Sequence, residues 1–366
     1  MYDMYLVLLV TIATTIISIG LTAIYKRIAI KLKIVDIPDA RRVHNKVMPT
    51  MGGVTIFIAF YFSLFVLLPI PQSIVFPIFL GSLAVLITGM IDDMKSLSPL
   101  LKIAGILIGA FIVSYFGDVS LETMTLPFIG TLEFGSWSLP FTLIWILGFT
   151  NAVNLIDGLD GLASGVSIIA LTTMGIIGFF FLTIQEVSIS IMIFILIGAI
   201  VGFWPYNFQP ASIFLGDTGA LFIGFMIGVF SLQGLKNATL ISLVLPVVIL
   251  GIPITDTLFA ILRRKINRQS ISVADKNHIH HRLMSLGLSH RQTVLAIYSV
   301  SAIFSVIALL YNFSTFWGSA LLTISVVIGV ELFVEIIGLV GADRRPLLKS
   351  LREFGNRLNK KKPDGQ

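Results

Sequence analysis

The chain has 366 residues, 56% of them hydrophobic and only 12% charged, with a mean hydropathy of +0.97. A soluble domain carries roughly twice that share of charge, so a soluble globular class is excluded; the apolar runs are continuous and not alternating, which argues against a transmembrane β-barrel. There is no Cys, which removes disulfides and thiolate metal sites, and the net charge of +6 points to anionic lipid or phosphate, with no nucleic-acid partner expected.

A membrane-spanning helix needs about 20 apolar residues. On that measure the chain reads as an all-α polytopic membrane protein with about eleven spans, near 4–25, 52–70, 73–91, 100–117, 138–153, 162–184, 187–204, 218–235, 238–262, 291–311 and 315–338. The first run, Tyr5 to Tyr25, is as long as a full span and lacks a small-residue cleavage pattern, so it reads as a retained helix. Between the fourth and fifth spans, LETMTLPFIGTLEFG alternates around a Gly and predicts a small hairpin. Residues 1–340 read as one integral membrane domain. Residues 341–366, with apolar residues at helical spacing among bases, read as a basic tail lying on anionic lipid.

The basic residues orient this layout. Seven Lys/Arg fall in the first loop, Lys95 and Lys102 flank the second inward loop, seven lie between Arg263 and Arg291, and eight lie in the tail, leaving Lys236 alone on the other side. The positive-inside rule then predicts an outside N-terminus and a cytoplasmic C-terminus in the cell membrane.

The polar clusters fall onto this topology in order. Asp92-Asp93-Met94-Lys95 follows the third span, Asn151 to Asp160 the fifth, Phe214 to Gly219 the seventh, and His278-Ile279-His280-His281 the ninth. Every odd-numbered span ends in the cytoplasm, so these clusters are predicted to converge on one membrane face. Singly, each has a plain structural reading: a solvated turn, a polar helix end, an Asp N-cap, a basic loop. Their joint placement on one side is what points to a site. His280 and His281 are too close in sequence to share a helix face as an i,i+4 metal pair does.

Acids at a membrane boundary are costly without a cation, water or a partner, and adjacent carboxylates repel. A divalent cation relieves both costs, and oxygen-only ligands suit Mg²⁺, with Mn²⁺ as the alternative.

At these residues the chain resembles the polyprenyl-phosphate sugar-1-phosphate transferases. The quoted motifs are Asp92-Asp93-Met94-Lys95, Asn151-x-x-Asn154-x-x-Asp157-Gly158-x-Asp160-Gly161 and Phe214-Leu215-Gly216-Asp217-x-Gly219, in the expected order. The first loop adds Asp36-x-Pro38-x-x-Arg41-x-x-His44 and Pro49-Thr50-Met51-Gly52-Gly53. The resemblance implies an enzyme that joins a UDP-sugar to undecaprenyl phosphate and releases UMP, with a divalent metal. It implies catalytic roles for Asp92, Asp93, Lys95, Asp157 and Asp217, with Asp217, Asp157 and Asp93 as metal ligands. Substrate contacts are implied for Thr50, Asn151, Asn154, Asp160, Arg263, Arg264, His278, His280, His281 and Arg282. Family relatives suggest homodimers.

Pentapeptide-transferring members typically carry three consecutive histidines; here Ile279 interrupts the run, which is similar to the N-acetylglucosamine-1-phosphate branch. NAVNLIDGLDGLASGVS, IFLGDTGALFIGF and SHRQTV resemble the Gram-positive enzymes that begin wall teichoic acid linkage units. Asp256, inside the ninth span, is expected to pair with a basic residue or to support the site. Glu331 and Glu335 share a helix face in the last span and have no assigned role. A secondary transporter is the competing class, but transporter sites usually lie near the bilayer midplane within repeats, and no repeat is visible here.

Overall fold

The computed structural model describes residues 4–36, 47–68, 70–126, 130–181, 187–233, 238–239, 246–266, 278–338 and 349. Arg41, His44, Lys236 and the tail apart from residue 349 lie outside them. Helices follow in chain order: α1 Met4–Lys31, α2 Gly53–Phe62, α3 Gln72–Lys95, α4 Pro99–Gly117, α5 Ser138–Ile156 and α6 Leu162–Phe181. Then come α7 Val187–Asn207, α8 Gly216–Gln233, α9 Gly251–Ile266, α10 Ile279–Ser285, α11 His290–Tyr311 and α12 Phe316–Ile337. Among the described residues, nine helices are long and apolar enough to cross a membrane. Shorter apolar helices at Gly53–Leu67 and Gly251–Ile261 occupy the places of the second and ninth predicted spans. The chain is a polytopic helical membrane protein.

Helix α8 is the hub. Every residue from Thr218 to Leu232 is buried, and α8 packs against α2, α3, α4, α5, α6 and α7. In a membrane, helices associate by close packing, which small residues permit. A Cβ on Gly224 would lie 2.8 Å from Thr150 Cα, and one on Gly53 would lie 2.1 Å from Gly219 Cα. Gly53 is therefore the contact point of α2 on α8. Gly53→Ala is expected to overpack this crossing at a cost of about 1–3 kcal/mol. The lowered apparent melting temperature of the detergent-solubilised protein would show it, and an unchanged value would mean the helices part at no cost.

The loop between Pro49 and Gly53 runs beside the entry to α8. Phe214 N–H donates to Pro49 O at 2.8 Å, and the N–H groups of Gly52 and Gly53 donate to Phe214 O and Leu215 O at 3.0 and 3.1 Å. Helix starts are locally encoded elsewhere. Ser98 caps α4 with Pro99 in the first turn, and Ser289 with Gln292 forms a capping box on α11.

The hairpin expected after α4 is present as β1 (Thr123–Leu126) paired antiparallel with β2 (Gly130–Glu133). The ninth span is corrected at its start. A continuous helix was expected from 238, but Ala238–Thr239 is a strand, β3, parallel to β1. Its backbone groups pair with Met124 and Thr125; among the described residues helical backbone resumes at 246–249, and α9 itself runs from Gly251. An apolar count does not register strand addition to a distant edge.

Candidate active site

Asp92 and Asp93 close the C-terminal end of α3. Neighbours on a helix point about 100° apart, so the two carboxylates serve different partners. Asp93 faces the head of α8. Its Oδ1 accepts from Asp217 N–H at 2.9 Å; its Oδ2 accepts from Thr218 N–H at 3.1 Å and Thr218 Oγ1 at 2.6 Å. An acid from one helix thus caps another, where free N–H groups and the helix dipole favour negative charge. Gly216, at φ +74°, leaves the room: a Cβ there would lie 2.5 Å from Asp93 Oδ2 and 3.0 Å from Thr50 Oγ1. This differs from the simple reading in which Asp217 caps its own helix. Asp217 sits in the first turn, with its side chain free for other work.

Asp92 turns toward α4. Its Oδ1 accepts from Leu97 N–H at 2.7 Å, and its Oδ2 lies 2.7 Å from Lys102 Nζ. The same Nζ lies 2.9 Å from Asp217 Oδ1, which also accepts from the Asn154 amide. Lys102 therefore bridges acids from α3 and α8. Sequence reasoning used Lys102 only as a topological charge. The available signal was a lysine one turn inside an apolar helix, four residues beyond the Ser98 cap and just after an acid pair.

Asp157 ends α5. No hydrogen bond holds its half-buried side chain among the described residues. Burial and the nearby carboxylates of Asp217, Asp93 and Asp160 raise its pKa well above the usual carboxylate range, against a smaller opposing pull from Lys102. Asp160 is tied down: its Oδ2 accepts from Ala211 N–H at 3.1 Å, and its own N–H donates to His290 Nε2 at 3.0 Å. Tyr298 of α11 donates to Gly161 O and accepts from Trp204 Nε1 at 3.2 Å. His290 and Tyr298 thus clamp the Asp157–Gly161 loop, and neither was singled out from sequence.

The histidine run reaches this loop. A Cβ on Gly158 would lie 2.5 Å from His280 Nε2, so the ring rests on the glycine. The His278 and His280 rings are parallel at 5.9 Å, and those of His280 and His281 lie 4.3 Å apart. Burial, then the neighbouring histidines, push His280 down to about 3, so it is neutral at physiological pH. It can exchange hydrogen bonds but supplies no charge. Arg282 Nε is buried without a hydrogen-bond partner among the described residues.

The structure thus brings Thr50, Asp92, Asp93, Asn154, Asp157, Asp217 and His280 to one end of the bundle. Asp160 and His278 stand behind them as supports. Lys95 is exposed at the end of α3, and Asn151 donates its amide to Leu147 O at 3.0 Å within its own helix. Arg263 and Arg264 lie in α9, but their side chains are outside the described residues.

An apolar bundle with carboxylates, an amide and one lysine gathered at one end defines a membrane protein with a charged polar site at its helix ends. Residues 75–235 match the family model described as glycosyl transferase family 4. A "Probable undecaprenyl-phosphate N-acetylglucosaminyl 1-phosphate transferase" of Bacillus subtilis (strain 168) is 42% identical over 339 residues, 92% of this chain and 94% of the relative. An "Undecaprenyl-phosphate alpha-N-acetylglucosaminyl 1-phosphate transferase" of Thermotoga maritima is 31% identical, covering 81% of this chain and 89% of the relative. A "Phospho-N-acetylmuramoyl-pentapeptide-transferase" of Clostridium beijerinckii is 31% identical, covering 71% and 81%. The chain belongs to glycosyl transferase family 4, and it is a glycosyl-1-phosphate transferase.

Proposed function

We propose that the protein transfers N-acetylglucosamine 1-phosphate from UDP-N-acetylglucosamine to undecaprenyl phosphate, as the first membrane step toward teichoic acid or a related wall polymer. The carrying observation is the single Lys102 Nζ held between Asp92 and Asp217, near the Asp157 carboxylate, which makes no hydrogen bond among the described residues. Long similarity to the B. subtilis relative and the interrupted histidine run support the sugar. We place this end of the bundle at the cytoplasmic face, with eleven crossings and an outside N-terminus, because the Lys/Arg distribution favours it. There a lipid that stays in the bilayer can meet a soluble nucleotide sugar. The basic tail, 341–366, is assigned to the cytoplasmic lipid surface.

A lipid phosphate oxygen attacks the phosphorus that bears the sugar. A new P–O bond forms, the bond to the UMP oxygen breaks, and UMP leaves with that electron pair. A phosphate monoester is already mostly ionised at neutral pH, its second pKa being about 6. No strong base is then needed, and positioning with charge neutralisation dominates. Lys102 offsets charge between the two phosphates, and Asp93 holds the head of α8 so that Asp217 faces the reacting groups. His280, neutral, offers hydrogen bonds to the sugar or diphosphate.

The donor set fits Mg²⁺. No group of three His, Asp or Glu forms a ready cage among the described residues, but Mg²⁺ commonly takes only one or two carboxylates plus water and phosphate. Asp157 and Asp217 suit that pair, since both Asp93 oxygens are engaged at α8. Bound there, the ion would supply charge neutralisation for the diphosphate.

The donor is tested by offering UDP-N-acetylglucosamine and UDP-MurNAc-pentapeptide in parallel with undecaprenyl phosphate. UMP and a chloroform-soluble sugar should appear with the first only. Product from the second alone would reassign the sugar, and no product from either would remove the proposed reaction.

A further inference from the structure

Asp256 of α9 and His278 form a buried pair that the proposed chemistry does not use. Asp256 is 1% and His278 7% exposed. Asp256 Oδ2 lies 2.9 Å from His278 Nδ1, and Oδ1 accepts from Ile279 N–H at 2.9 Å. His278 is the N-cap residue of α10, yet its own side chain makes no cap bond. A carboxylate from another helix supplies that bond, as Asp93 does for α8. With seven residues, α10 is too short to persist without tertiary anchors. Its other anchors are the buried Ile279 and Leu283, and through His280 it rests on Gly158.

We propose that Asp256 is a positioning residue: through His278 and the head of α10 it docks the histidine helix on the Asp157–Gly161 loop, forming the nucleotide-sugar side of the site. The substrate part rests on the transfer reading above; the docking part does not. With Asp256 ionised, Nδ1 of His278 is the donor, which leaves Nε2 directed away from the pair. Asp256→Asn can keep both contacts. The amide oxygen accepts from Ile279 N–H and the amide N–H donates to Nδ1, once His278 takes the Nε2–H tautomer. Asp256→Ala leaves both buried donors unmet.

The chain has no Cys, so a single Leu283→Cys reports docking by maleimide labelling of the full-length protein in membranes. Labelling should be slow with Asp256 or Asp256→Asn and about 10-fold faster with Asp256→Ala. A Leu283→Cys that stays protected in Asp256→Ala overturns the docking. In turnover assays, Asp256→Ala should raise KM for UDP-N-acetylglucosamine about 10-fold and leave KM for undecaprenyl phosphate unchanged. Asp256→Ala with His278→Ala should be no worse than Asp256→Ala alone, because the His278 contact is already lost there. Equal loss toward both substrates, or losses that multiply, overturns the positioning role. Should Asp256→Ala not accumulate, His278→Ala in the Leu283→Cys background carries the same labelling test. A wild-type protein inactive with this donor counts against the transfer reading, while labelling still decides the docking.

Discussion

Turnover of Asp217→Asn is expected to fall by about 10³-fold or more while the protein still folds. The amide keeps nearly the same shape, and its oxygen can still accept from Lys102 and Asn154, as Asp217 Oδ1 does. What is lost is the negative charge that would bind a divalent cation. EDTA should therefore stop the wild-type enzyme, and added Mg²⁺ should restore it. Mg²⁺ should not restore Asp217→Asn. UMP release reads all of these arms. Near-normal release by Asp217→Asn would remove Asp217 from the metal role, and chelator-resistant turnover would count against a metal-assisted reaction.

Lys102→Met should lose about 10²–10³-fold in kcat. Its ammonium is the one cation bridging Asp92 and Asp217 among the described residues. Without it, two carboxylates face each other with little to offset them. Removing one partner from a fully buried pair costs about 3–5 kcal/mol. The Asp217 side chain is 34% exposed, so water screens part of that cost here. Added Mg²⁺ should then raise the melting temperature of Lys102→Met more than that of the wild type, because the ion relieves the same repulsion. Wild-type kcat with an unchanged Mg²⁺ response would show that Lys102 is only a local tether.

Most long spans could be read from the chain because each is a local property. A run such as VSISIMIFILIGAIVGFW is apolar over the length of a bilayer, and its backbone must satisfy itself as a helix. The hairpin around Gly130 was visible for a similar reason, in its alternation. The short α2 and α9 segments were harder. Gly53 is needed by a glycine in α8, and Ala238–Thr239 pairs with a strand more than a hundred residues earlier. The Gly52-Gly53 pair does signal close packing at a helix start, though not its partner; the strand pairing leaves no mark in its own stretch of sequence.

The acids of the site were legible as types, since carboxylates flanking apolar runs must meet something polar. Their partners were not. Nothing in Asp92-Asp93 says that one carboxylate caps α8 and the other holds Lys102. That division follows from the angle between neighbours on α3 and the approach of α4 and α8. Lys102 read as one more inward charge, His290 only as part of the SHRQTV resemblance, and Tyr298 sat unremarked in an apolar helix until the fold set both against the Asp157–Gly161 loop. Asp256 was expected to find a base or to support the site, and it does the first by pairing with His278.

By itself the sequence determined that this chain lives in a membrane as a helical bundle, and which acids, amides and histidines stand at helix ends. Hydropathy and charge act residue by residue, so they survive without a fold. The tertiary structure alone decided which carboxylate meets the lysine, which one caps a helix and which makes no hydrogen bond among the described residues. Those outcomes depend on distances of a few ångströms between segments far apart in the chain, set by glycine crossings that let α2, α3 and α8 close on one another.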